Sequence, residues 1–329
     1  MKIVITGGAG FLGQRLARKL LALGSMQNSA GQQQPIAKIV LVDVVAATGL
    51  DDPRIEHVTG DIADPALLAR VIDSGTDVIF HLAAIVSGQA EADFELGMRI
   101  NLDASRLLLE RCRACGHAPR VIFTSSVAVF GGELPAVVQD DTALKPQSSY
   151  GVQKAIGELL LQDYSRKGFV DGLVLRLPTI SVRPGKPNKA ASSFASGIIR
   201  EPLNGQTSVC PVSSEVRLWL LSPRKVIECL IKGAELLADS LDRSRSRVIN
   251  LPGISVTVGE MVAALERVAG SEVTQRIEWS HDPAVDRIVS SWPGAWDIRR
   301  AQALGFCGDA SFDDIIRAYI ADELQAVPA

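Results

Sequence analysis

Residues 2–13 read Lys2-Ile3-Val4-Ile5-Thr6-Gly7-Gly8-Ala9-Gly10-Phe11-Leu12-Gly13, and this stretch decides the fold. Its β-branched opening predicts a buried strand. Gly7, Gly10 and Gly13 follow at GxxGxxG spacing, and residues 11–23 carry apolar side chains at helical intervals. That order is what a dinucleotide needs. A strand aims the chain at the ligand, small residues let the backbone approach a pyrophosphate, and the helix offers free N–H groups to its negative charge. The last glycine lets the helix pack close to the sheet. A glycine triplet alone is weak evidence, and its place between a strand and a helix is what gives it weight.

The alternation continues downstream. Strand patterns at 38–42, 55–59, 77–82, 120–124 and 172–177 are interleaved with helical patterns such as 65–73 and 94–115. This order builds a parallel sheet covered on both faces. An α/β fold is expected: a Rossmann-type, doubly wound parallel sheet over 1–178, then a smaller C-terminal α+β substrate-binding part over 179–329. Roughly residues 214–240 are expected to return to the first domain. Right-handed crossovers bring the strand C-terminal ends to one edge, where ligands bind. In the second part, 190–200 and 224–238 read as helices and 216–221 as a strand, while 248–251, 258–269 and 312–324 suggest a smaller α+β layer. Residues 25–35, rich in Gln, Ser and Gly, read as a flexible surface insertion.

The chain has 329 residues, 47% of them hydrophobic, and a net charge of −3 with both signs interspersed. That is enough apolar material for a large core or two domains, and it leaves no basic footprint for nucleic acid. No apolar run approaches the roughly 20 residues that cross a bilayer, and the N-terminal apolar stretch is too short for a signal peptide. Cys112, Cys115 and His117 form a CxxC-x-H cluster, but a second ligand pair at zinc spacing is missing, so no metal site is expected. Five scattered cysteines argue against a disulfide scaffold. A soluble, cytoplasmic protein is expected.

Asp43 follows the second strand, where a carboxylate can accept hydrogen bonds from the adenosine ribose. Its distance from the glycine loop exceeds the usual spacing of about 20 residues, and the 25–35 insertion accounts for the excess. An acid here repels a 2′-phosphate, and Val44-Val45 supply no arginine to receive one, so NAD is favoured over NADP. Asp61-Ile62 after the third strand can meet the adenine amine. Leu82-Ala83-Ala84 after the fourth are small enough to let a pyrophosphate approach, although core packing would suit them equally.

Tyr150 and Lys154 stand four residues apart at the start of a helical pattern, which puts both on one helix face. The strand before them ends in Thr124-Ser125-Ser126. Tyrosine is a poor base at its usual pKa of about 10. A neighbouring ammonium favours the phenolate, so Lys154 is expected to bring Tyr150 toward working range while binding the nicotinamide ribose. A serine hydroxyl from the strand end can hold the substrate oxygen.

With these residues the chain resembles the extended short-chain dehydrogenases/reductases, the NAD-dependent epimerase/dehydratase superfamily. The resemblance rests on Thr6–Gly13, Asp43, Asp61-Ile62, His81–Ala84, Asn101, Thr124–Ser126, Tyr150-x-x-x-Lys154 and Arg176-x-Pro178. It is close over the first 180 residues and loose beyond. It implies that Tyr150 is the proton acceptor, Lys154 its electrostatic partner and Ser126 the oxygen anchor, with Asn101 holding the active-site backbone. It implies NAD contacts from Gly7, Gly10, Phe11, Leu12, Gly13, Asp43, Asp61, Ile62, Leu82, Ala83, Ala84, Asn101, Ser125, Tyr150, Lys154 and Pro178. It also implies a homodimer in which helices 94–115 and 150–167 pair as a four-helix bundle, with Leu102, Leu109, Ile156 and Leu160 on a second apolar face.

Two departures matter. Val127-Ala128 stand where the family's sugar-nucleotide dehydratases carry an Asp-Glu pair, which disfavours dehydration. Phe130-Gly131 stand where many epimerases place a tyrosine before the glycine. Residues 183–194 and 200–203 resemble a narrower branch, dehydrogenases that oxidise C2 of a four-carbon sugar acid with NAD. Such an acid needs a fixed cation for its carboxylate, preferably a bidentate arginine, and hydroxyl or amide groups for its other oxygens. The candidates are Ser87, Ser126, Tyr150, Thr179, Arg183, Asn188, Ser192 and Arg217, with Arg183 and Arg217 competing for the carboxylate. A UDP-sugar 4-epimerase using the same Tyr150 and Lys154, and a non-catalytic NAD-sensing regulator, are the alternatives.

Overall fold

The computed structural model describes residues 1–241 and 246–324. Its main sheet has seven strands: β1 Lys2–Thr6, β2 Lys38–Asp43, β3 Ile55–Thr59, β4 Thr76–His81, β5 Arg120–Ser126, β6 Asp171–Leu177 and β7 Val248–Asn250. All pairings are parallel, in the order β7-β6-β5-β4-β1-β2-β3. The sheet reverses direction of growth at β1, so a crevice forms beyond the C-terminal ends of β1 and β4.

Alternation along each strand feeds two cores. Ile3 and Ile5 pack with Leu16 and Leu20 of helix α1 (Phe11–Leu23), while Val4 faces the other side with Leu67 and Leu68 of α2 (Pro65–Val71) and Leu108 of α3 (Ala104–Cys115). Helix α4 (Ser149–Arg166) starts where the Ser148 side chain accepts from Gly151 N–H, satisfying one of the unpaired donors of its first turn. Helix α5 (Pro223–Ala234) starts likewise at Ser222 and adds Val226 and Leu230 to the first core.

Three local expectations are corrected. Residues 25–35 are an ordered hairpin, Ser25–Gln27 against Gln33–Pro35, with Met26 fully buried. Ser29 O accepts from Ala238 N–H at 2.9 Å and Glu235 Oε1 from Gln27 N–H at 3.1 Å, so this polar stretch is pinned beside the end of α5. The 94–115 pattern is not one α-helix: a π-helical turn at Met98–Asp103 precedes α3. Residues 248–250 extend the main sheet rather than the smaller layer, because Val248, Ile249 and Asn250 pair with Val174, Leu175 and Arg176.

The smaller layer has a three-stranded sheet with Arg217–Leu221 between Thr179–Ile180 and Ile254–Thr257. Helices Phe194–Leu203, Val258–Ala269 and Phe312–Tyr319 close its core around Ile198, Leu218, Met261 and Ile316. Thr179 follows β6 after only Pro178, so the chain enters this layer at the ligand-binding edge. Among the described residues no helix is long and apolar enough to cross a membrane, and no group of three His, Cys, Asp or Glu side chains is placed to hold a metal ion.

Candidate active site

A cleft of ≈ 310 Å³ opens at that edge. Gly7, Gly10, Phe11, Leu12 and Gly13 form one wall, Ser126, Tyr150 and Lys154 the centre, and Pro178, Thr179, Arg183, Asn188 and Ser192 the far side. Leu82, Ala84 and Ser87 also line it. The glycine wall is built for close approach. Gly7 has φ +71°, and a Cβ there would lie 2.9 Å from Ala83 N; one on Gly13 would lie 2.3 Å from Gly7 O. No side chain caps the start of α1 at Gly10, so its first N–H groups stay available to an anion. The residues present therefore fit a dinucleotide pyrophosphate.

Beneath this wall runs a buried chain of hydroxyls. The Ser105 hydroxyl donates to Asn101 O at 2.7 Å, so it accepts from His81 Nε2 at 2.9 Å. His81 Nδ1 then accepts from the Thr6 hydroxyl at 2.7 Å, whose oxygen takes Ala83 N–H at 3.2 Å. Burial, with the Lys154 charge adding to it, pulls His81 down to about 3, so the ring stays neutral and serves as a spacer. It ties the end of β1 to the end of β4.

Tyr150 and Lys154 reach the cleft because α4 presses on the end of β5. A Cβ on Gly151 would lie 2.1 Å from Ala128 O, closer than any side chain permits. Lys154 Nζ donates to Thr124 O at 2.9 Å and sits 5.8 Å from the Tyr150 ring centroid. Burial pulls its ammonium down to about 8, against the nearby Glu158 carboxylate, which raises it. Burial pushes the Tyr150 phenol up to about 12, while a hydrogen bond with Ser126 and the charge of Arg183 act in the opposite sense. A phenol, a hydroxyl and two cations thus converge where a substrate oxygen and its proton can be handled.

On the far side, Arg183 donates to Asn188 Oδ1 at 3.2 Å, and its backbone is held at both ends: N–H to Ser196 Oγ at 3.0 Å, carbonyl from Arg200 Nη1 at 2.7 Å. Burial first, then Arg200, lowers its pKa to about 10, which leaves it cationic at neutrality. Arg217 does not join it. As the first residue of its strand it turns outward to Ser255 and Glu260 and lines a separate cavity.

Other expected residues are engaged with the protein itself, and Asp43, Asp61, Ile62 and Asn101 lie outside the cleft lining. Asp43 accepts from Ala9 N–H at 3.0 Å and Val44 N–H at 2.8 Å, which places it against the glycine loop at the end of β2. Asp61 accepts from Ala63 N–H and pairs closely with Arg99; burial opposes its ionisation, but these bonds outweigh it and hold its carboxyl low. Ile62 belongs to the core under α2. Asn101, presented by the π-helical turn, bonds both N–H and C=O of Ile85 and also Gln153, so it shapes the wall rather than facing a ligand. Ser125 borders the cleft but gives its hydroxyl to Glu158 at 2.5 Å, itself paired with Arg176.

Trp292 lines the cleft too, and it is not among the residues that the sequence pattern points to. A lone tryptophan far along the chain carries no local signal. One consequence arises at the other end: Asp43→Ala is expected to weaken NAD binding and narrow its preference over NADP, since both ribose hydrogen bonds and repulsion of a 2′-phosphate are lost. Fluorescence titration with each cofactor measures this, and a wild-type protein that already prefers NADP would overturn it.

The sequence pattern of the NAD dependent epimerase/dehydratase family matches residues 3–233. The chain is 64% identical over 322 residues to the D-erythronate dehydrogenase of Cupriavidus necator, covering 98% of each chain. It is 50% identical over 321 residues to the D-erythronate dehydrogenase of Haemophilus influenzae, covering 97% of this chain and 99% of that one. Among solved structures, a nucleoside-diphosphate-sugar epimerase from Agrobacterium tumefaciens superposes with a TM-score of 0.92 at 43% identity, over 99% of this chain and 95% of that one.

Proposed function

Because the chain belongs to the NAD dependent epimerase/dehydratase family, whose cofactor its glycine wall fits, we propose that this NAD-dependent oxidoreductase oxidises the C2 hydroxyl of D-erythronate to 2-oxo-tetronate. The observation that carries this reading is the placement of Arg183 in one cleft with Ser126, Tyr150 and Lys154. A carboxylate held at Arg183 sets the adjacent C2 hydroxyl against Tyr150. Ser126 holds the C2 oxygen and Tyr150 removes its proton; the hydrogen bond with Ser126 and the charge of Arg183, rather than the expected Lys154, favour the phenolate. Gly7, Gly10 and Gly13 would hold NAD, which would supply the hydride acceptor, along their wall. Asn188 and Ser192 are left for the remaining hydroxyls. Trapping the product with o-phenylenediamine tests the position: a 2-oxo acid gives a cyclic quinoxalinone, and a product oxidised elsewhere does not.

The assembly reading is a two-fold homodimer through a helical bundle. Leu109 is buried in its own core, which takes it off the second face, while Leu160 is partly buried and packs against that core. Val152 and Leu159 of α4 and Phe94 are exposed instead, and Val152, Ile156 and Leu159 form a stripe at helical spacing. Light scattering at micromolar concentration is expected to give twice the chain mass. Val152→Glu with Leu159→Glu is expected to halve it, and a wild-type monomer would reject the dimer.

A further inference from the structure

Beside the cleft lies a second cavity of ≈ 580 Å³, open to solvent and lined by Ser213, Glu215, Arg217, Ser290 and Ser291. Among the described residues, Trp292 alone borders both spaces. We propose that Trp292 is the wall that sets substrate chain length, confining the cleft to a short sugar acid and keeping longer polyol chains out of the neighbouring chamber.

The indole is a fixed partition. Its backbone N–H donates to Val289 O at 3.1 Å, and its ring packs against both the smaller layer's core and the aromatic cluster beyond it. Downstream, Val138 N–H donates to Ala295 O at 2.9 Å and Asp297 N–H to Val138 O at 2.8 Å. Between them Trp296 is wedged among Phe130 and Trp219, with centroids 5.9 and 5.8 Å away. Both flanks of Trp292 are therefore tied to packed structure.

The chamber behind it is amphipathic: Leu134, Pro135, Val216 and Pro293 line it together with three serines, Glu215 and Arg217. The Ser290 and Ser291 hydroxyls donate to Asp286 Oδ1 and Ile288 O, so they face the chamber as acceptors while Arg217 supplies donors, a mixture that suits a neutral chain of hydroxyls better than a second anion. Arg217 is only loosely engaged, 3.4 Å from Ser255 Oγ and 3.5 Å from Glu260 Oε2, so it can turn toward a ligand. Arg183 and Trp292 line the same cleft, so in this proposal an acid held by its carboxylate at Arg183 and two carbons longer than D-erythronate meets the indole with its tail. Specificity of this kind comes from an obstacle as much as from new contacts.

This inference rests on the sugar-acid reading, and its test is separable from it. D-gluconate, a six-carbon acid with the same carboxylate and C2 configuration, is titrated by calorimetry into NADH-saturated full-length protein, where no turnover occurs. Trp292→Ala is expected to bind D-gluconate about tenfold more tightly than wild type, a gain of the size that pocket shape commonly confers. D-Erythronate affinity should not gain, and adding Arg217→Ala should remove most of the D-gluconate gain. Trp292→Leu, which keeps apolar packing, serves if the alanine variant fails to fold. An unchanged ratio of D-gluconate to D-erythronate affinity in a folded, NADH-binding variant would overturn the wall. Failure of wild type to oxidise D-erythronate would instead overturn the substrate reading.

Discussion

Tyr150→Phe is expected to lower turnover of D-erythronate by about 10²- to 10⁴-fold, the range attributed to one positioned proton-transfer group, while NADH binding and folding stay intact. The substitution removes one hydroxyl from a ring otherwise held by α4 packing against β5. It deletes the proposed proton acceptor and the hydrogen bond with Ser126, and leaves Lys154 bonded to Thr124 O. Stopped-flow measurement of a single turnover separates this from slow product release. A variant with near-wild-type turnover would show that another group takes the proton.

Arg183→Ala is expected to raise the KM for D-erythronate roughly thirty- to a thousand-fold. A charge-assisted, bidentate contact contributes about 2–4 kcal/mol of binding. Arg183→Lys should restore only part of this, because an ammonium cannot present a planar fork. The variant has a second readout. The phenol of Tyr150, raised by burial to about 12, is partly drawn back by the Arg183 charge. In the proposed mechanism Tyr150 is a base only when deprotonated, so turnover should rise with pH, and removing that cation should move the rising limb to higher pH. Arg217→Ala should leave KM for D-erythronate near wild type, since Arg217 faces the other cavity. The reverse pattern of kinetics would transfer the carboxylate to Arg217.

What could be read in advance was what short-range physics controls. The β-branched run before Gly7, the apolar spacing of residues 11–23 and the Tyr150–Lys154 interval each act within one element, and the structure realises them. The exceptions depend on distant partners. Met26 sits in a polar stretch, and its burial depends on contacts near Glu235 and Ala238. Val248–Asn250 is too short to declare its sheet, which is settled by pairing with β6. Arg217 shows the same limit at single-residue scale: one step of strand register decides which face a side chain takes. Asn101 was legible as a clamp on the backbone, but the π-helical turn that aims it at Ile85 was not. Trp292 reaches the cleft only through the packing of the whole smaller layer.

The central claim is net oxidation of a sugar acid, and NADH release tests it most directly. Wild-type protein mixed with excess NAD and D-erythronate should form NADH continuously, one per molecule of acid consumed, as followed by absorbance. Inversion of a UDP-sugar with no net NADH would contradict the claim in favour of an epimerase, and binding of NAD with neither reaction would contradict it in favour of a sensor.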